Sequence, residues 1–185
     1  MSKAPSSPAR SLEQDFITIL GKLDAGGRAR LKRNAGNTLN EARNVYDVFF
    51  TALSYGVSND TPTQNNFFLI ATLFALGTHR NDPTASNPPR NLGASLRLER
   101  LERGTDKAGS LDKRFNALLD VDREQLPFRL RQIVSLLVSR TIAIDWVQLL
   151  RDVRRWEQPE RSVQRYWAEA YYRSIPVPVT ADSAE

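Results

Sequence analysis

Eight consecutive residues, Gly26-Gly27-Arg28-Ala29-Arg30-Leu31-Lys32-Arg33, place four cations in six positions with no acid among them. A carboxylate three or four residues away along a helix would neutralise such charges locally, and the run supplies none. Arg28, Arg30, Lys32 and Arg33 would therefore repel one another unless an anion lay opposite. A sugar-phosphate chain is the obvious candidate, and the chemistry is binding rather than catalysis.

Residues that could break or form bonds are scarce. His79 is the sole imidazole and cysteine is absent, which removes thiol catalysis, disulfides and zinc sites built from Cys and His clusters. His79 stands beside Arg80 with no nucleophile motif nearby and reads as a solvated loop histidine. Asp120 and Asp122 could be imagined on a metal, but Asp122 precedes Glu124 and Gln125 at a helix start, where a carboxylate accepts backbone amides. Gly26-Gly27 resembles half of a phosphate-cradling loop. It lacks the GK[ST] ending and a preceding strand, so the two glycines are expected to end the first helix. Trp146, Trp156 and Trp167 could stack on bases, yet each falls on the apolar stripe of its helix and reads as core.

Further cations follow downstream. Arg97, Arg100 and Arg103 lie three apart and share a helical face, with Glu99 and Glu102 interleaved; Lys107, Lys113 and Arg114 come next. Arg129, Arg131 and Arg140 flank an apolar stripe, and Arg151, Arg154, Arg155, Arg161 and Arg165 decorate the last two helices. No helix-turn-helix, zinc-finger or aromatic RNP signature accompanies them. Sequence-independent contact with a phosphate backbone is the mode that remains.

The elements that must position these residues are helical. Phe16, Ile19, Leu20 and Leu23 mark a first helix opened by a Ser11/Gln14 capping box. A second is expected from a Thr38/Glu41 box through Val45, Tyr46, Phe49 and Leu53 to a stop at Gly56. A third, from Gln64 to Leu76, is apolar on nearly every side and should be buried. Residues 78–91 hold Pro83, Pro88 and Pro89 and no continuous helix. A charged helix over 92–103, a short one around Phe115, a stripe from Leu126 to Val138, and helices near Asp145 and Pro159 complete the pattern.

The fold class is therefore all-α, as two small helical-bundle lobes (11–77 and 92–173) joined by a Pro-rich loop (78–91). Residues 1–10 and 174–185 read as disordered tails. The 185 residues are 41% apolar with a net charge of +5, enough for an ordinary core and compatible with nucleic acid without proving it. Neither a signal peptide nor a membrane span is expected, and the cytoplasm is the default compartment.

The order of segments resembles the CasB family, the small subunit of the type I-E CRISPR surveillance complex called Cascade. The resemblance rests on Gly26, Arg28, Ala29, Leu31, Lys32 and Arg33; on Leu92-Gly93 opening a charged helix; on Lys113-Arg114-Phe115 with Leu118-Leu119; on Leu130-Arg131; and on Ile144-Asp145-Trp146 with Leu149-Leu150 and Trp156. It spans about residues 12–172. Asn91 departs from it, standing where a small hydroxyl residue often precedes Leu-Gly. The resemblance implies a protein without catalytic activity or cofactor, present as two copies head to tail beside the subunits that hold the guide RNA. It implies a basic surface that supports guide RNA and target DNA and holds the displaced non-target strand. The resemblance carries over to Lys32, Arg33, Arg97, Arg114 and Arg131; together with the charge pattern, the expected nucleic-acid-binding residues are Arg28, Arg30, Lys32, Arg33, Arg97, Arg100, Arg114, Arg129 and Arg131. The competing reading is a helical adaptor whose basic face docks on an acidic protein.

Overall fold

The computed structural model describes residues 10–77, 89–104 and 107–173. Every regular element in them is helical: α1 (Leu12–Gly21), α2 (Ala25–Arg33), α3 (Tyr46–Ala52), α4 (Thr61–Phe74), α5 (Leu92–Arg103), α6 (Gly109–Leu119), α7 (Leu126–Ser139), α8 (Trp146–Arg154) and α9 (Ser162–Tyr172), with one 3-10 turn at Leu39–Glu41. None is long and apolar enough to cross a membrane. His79, Arg80 and most of the Pro-rich stretch lie outside the described residues.

The helix starts follow the local chemistry of their caps. Ser11 and Gln14 form the expected reciprocal box, with the Gln14 amide donating to Ser11 Oγ and the Ser11 amide to Gln14 Oε1. Asp60 accepts from the Thr63 amide and Asp145 from the Gln148 amide. Asn91 accepts from the Ala94 amide at 2.9 Å, so the unusual residue before Leu92-Gly93 caps α5 itself.

Several helix boundaries differ from the sequence expectation, α4 among them, which runs over Thr61–Phe74 rather than from Gln64 to Leu76. Gly26 and Gly27 do not end α1, which stops at Gly21; they form the first turn of α2, where Asp24 caps the Gly27 amide at 2.6 Å. The Thr38/Glu41 box is present but caps only the 3-10 turn. The chain then leaves the helix at Ala42 and turns at Asn44, whose φ of 52° is left-handed, before α3 begins at Tyr46. Asparagine tolerates that conformation and breaks the stripe read as one continuous helix. Leu53, in extended conformation, closes α3, and Gly56 is not among the positive-φ glycines.

α4 occupies the centre, with Phe67 through Leu73 buried on all sides. It packs against α1, α2, α7 and α8, while α5 lies along α9. Phe16 stacks edge-on against Phe67 with centroids 4.9 Å apart, and Phe74 against Trp146 at 5.3 Å. The helices on either side of residues 78–88 thus share one hydrophobic cluster. Trp146, Trp156 and Trp167 all belong to it, as their stripes indicated.

Asp152 is 1% exposed and accepts from Trp167 Nε1 (2.7 Å), Gln148 Nε2 (2.8 Å) and Arg155 Nη2 (3.2 Å). Burial outweighs these donors and raises its pKa above the ordinary carboxylate value. The folded state then holds a proton more tightly than the unfolded chain, so this group's contribution to stability falls as pH rises through the folded pKa. Asp152→Asn cannot titrate. Urea melts at pH 3.5, below the ordinary aspartate value of 3.8, and at pH 7 should show the wild type losing ground relative to that variant at the higher pH; an unchanged or opposite difference would contradict the raised pKa.

Candidate nucleic-acid interface

The basic residues separate into those consumed by the fold and those left over. Arg30 belongs to the first group. Its Nη1 and Nη2 donate to the two carboxylate oxygens of Asp47 at 3.0 and 2.8 Å, tying α2 to α3, and hold Asp47 below the usual carboxylate range. The acid missing from the local run is supplied 17 residues away. Arg100 is committed as well, with Nε on Asp112 at 3.1 Å and its guanidinium over the rings of Tyr171 and Tyr172. Tyr171 donates to the same carboxylate at 2.6 Å; burial first, and then that bond, push its hydroxyl pKa well up. Arg103 and Arg140 both close on Glu99, which is 1% exposed, at 2.5 and 3.4 Å. The expected cationic face of α5 is thus largely internal wiring.

Arg28, Lys32, Arg33, Arg97, Arg114, Arg129 and Arg131 form no ion pair among the described residues. Lys32, Arg33, Arg114 and Arg131 are exposed; Arg28, Arg97 and Arg129 are half-buried. Arg129 lies 5.7 Å from the ring of its exposed neighbour Phe128 and keeps a buried Nε without a hydrogen-bond partner.

Local structure places Lys32 and Arg33 with care. Gly27 and Leu31 face the core, which turns the following two residues outward on the last turn of α2. Asn34 fixes that end: its side-chain amide donates to the Arg30 and Arg43 carbonyls, and its oxygen accepts from the Arg43 amide at 3.1 Å. Gly36 follows at φ +91°, a backbone state that side chains disfavour. Here a residue from far along the chain arrives. A methyl group on Gly36 would stand 3.2 Å from Cδ and 3.7 Å from Nη1 of Arg131, so the Arg131 side chain lies directly over this turn. The structure thereby sets Arg131 of α7 over the turn that follows α2, three residues past Arg33. It gives no such link to Arg97 on α5 or Arg114 on α6.

The arrangement can hold anions and offers little else. Asp122 accepts the Gln125 amide at 3.1 Å in the turn before α7, the capping role the sequence indicated. The amide that a Gly-Gly phosphate loop would need at Gly27 is occupied by Asp24. Among the described residues, no group of three or more His, Asp or Glu side chains could hold a metal ion.

Comparison with known proteins gives consistent matches. The family model for CRISPR-associated protein Cse2 matches residues 27–172. The Cse2 protein of Thermus thermophilus is 41% identical over 107 residues, covering 57% of this chain and 54% of that relative, so the chain aligns with about half of that relative's length. The crystal structure of M. ruber CasB superposes with a TM-score of 0.75 at 32% identity, covering 89% of this chain and 94% of that one. A chain of a CRISPR RNA-guided surveillance complex has the same fold, with a TM-score of 0.73 at 23% identity over 88% of this chain and 94% of that one.

Proposed function

The chain belongs to the Cse2 family of CRISPR-associated proteins, and on that basis we propose that it is a non-catalytic subunit of an RNA-guided surveillance complex of the Cascade type. Its role there is to hold nucleic-acid backbone, namely guide RNA, target DNA and the displaced non-target strand, beside the guide-holding subunits and a second copy of itself in the cytoplasm. One observation carries this reading. Arg131 of α7 lies over Gly36, three residues past Lys32-Arg33 at the end of α2, and none of these three cations is paired with a carboxylate among the described residues, whereas Arg30 and Arg100 are paired. Exchanging a DNA duplex for an RNA–DNA hybrid is nearly balanced, so contacts of this modest strength suffice to tip it.

The test is binding of the full chain to single-stranded DNA, single-stranded RNA and duplex across a salt series. For about six single-strand phosphates neutralised, log affinity should fall against log salt with a slope of roughly −4, irrespective of sequence. Lys32→Ala with Arg33→Ala should make that slope shallower by roughly 1.4 and leave the melting temperature within a degree or so, because both side chains are exposed. Tight binding to an acidic protein with no retention of any nucleic acid would replace this reading with the adaptor.

A further inference from the structure

A cavity of about 390 Å³ opens between the start of α4 and the start of α7, within the size range of ligand sites. We infer that it receives one unstacked base of the bound strand, a reading that rests on the nucleic-acid-binding function proposed above. The cavity adjoins the basic turn. Asn37, on its rim, follows Gly36 directly; Pro127, also in its wall, sits one helical turn before Arg131 on α7. A strand whose phosphates met Arg33 and Arg131 would carry its bases past the opening.

The lining selects a base over a phosphate. Asn65 and Asn66 have their carbonyl oxygens engaged, one by the Leu39 amide at 3.0 Å and the other by Arg123 Nη2 at 2.5 Å. That fixes both carboxamides and leaves their NH2 groups, which have no partner among the described residues, as donors for a ring carbonyl. Arg123 also donates through Nη1 to the Val153 carbonyl at 2.6 Å, with Nε 3.8 Å from Glu157. Its edge is spent on the protein, so what it can offer a ligand is its flat face, a surface on which bases stack. Glu124 and Glu157 at the mouth repel a phosphate and accept from an exocyclic amine, while Leu69 and Leu126 supply apolar wall. Donors, acceptors, a planar cation and an apolar wall together match a heterocycle.

The experiment compares an ordinary oligonucleotide with one of equal length whose residues are all abasic, so phosphate number is constant. The full chain should bind the ordinary strand roughly 5- to 100-fold more tightly, the worth of one stacked base, with the same salt slope. Thr61→Trp, at an exposed rim position, fills the cavity and should abolish that difference while leaving affinity for the abasic strand unchanged. Asn37→Trp on the same rim serves if the first variant fails to fold. Equal binding of the two strands by the wild type overturns the base site and leaves the backbone clamp standing. A difference that persists in a folded, cavity-filled variant also overturns it, because the base is then held elsewhere. Failure of both strands to bind at low salt removes this inference together with the proposed function.

Discussion

Gly93→Ala should destabilise the protein by about 3 kcal/mol, at the upper end of what overpacking costs, although it adds one methyl group to a good helix position. A Cβ at Gly93 would stand 2.8 Å from the carbonyl carbon of Trp167 and 2.9 Å from its Cα, and closer still to the carbonyl oxygen. These are backbone atoms in the middle of α9, so no rotamer change relieves the clash. The two helices would have to separate. Separation would also pull the Asn91 side chain off the Tyr166 carbonyl and strain the bond from Ser95 Oγ to the Ala143 carbonyl at 2.9 Å. Gly109→Ala is the control. It opens α6 with nothing within 4 Å of the added methyl, so it should be neutral or stabilise by a few tenths of a kcal/mol through the unfolded chain. Urea unfolding of both variants separates packing from propensity. A cost below about 1 kcal/mol for Gly93→Ala would mean that α5 and α9 do not approach this closely.

That close approach shows what the sequence does and does not disclose. Helix starts such as those of α1 and α8 are legible because each is signalled within four residues, Ser11 with Gln14 and Asp145 before Trp146, whereas Asn91, read as a departure from the family pattern, is shown as a cap only by the structure. The buried character of α4 and of the three tryptophans is legible from periodicity alone. What fails are readings that need a conformation or a distant partner. The Thr38/Glu41 box is a true cap, but no local signal announces that Asn44 adopts φ 52° and breaks the helix after a single 3-10 turn. Gly26-Gly27 reads as a stop because glycine is common after helices; Asp24 makes it a start, and its spacing to Gly27 is an ordinary cap visible in the sequence.

The unpaired cations are legible in part, but their geometry is not. Charge without a local counter-charge is the criterion, and it holds for Lys32 and Arg33. It fails for Arg30, whose carboxylate comes from α3, while Arg100, read with Glu99 and Glu102 interleaved on its helix, pairs instead with Asp112 of α6. No rule of spacing pairs Arg30 with Asp47, or sets Arg131 over Gly36, because both contacts are made by tertiary packing. The amide donors of Asn65 and Asn66 carry no signal either, since their value depends on which of their own atoms the fold has already engaged.

Lys32→Ala, Arg33→Ala and Arg131→Ala combined should weaken single-strand binding about 100-fold at low salt, taking about 1 kcal/mol for each solvent-exposed charged contact, and should flatten the salt slope by roughly 2. The contrast with the paired cations makes this decisive. Arg100→Ala removes the same unit of charge, but it strips Asp112 of its ion pair and bares Tyr171 and Tyr172, so it should lower the melting temperature and change the slope little. Total charge cannot account for such a split; only position can. If every Arg→Ala change weakened binding equally, the protein would be acting as a diffuse positive body and the turn at Gly36 would have no special standing. If instead Arg131→Ala alone matched the triple variant, the α2 run would be dispensable and the clamp would reside on α7. Additive losses from the two helices, with the fold intact, are the result expected of a strand held across the junction between them.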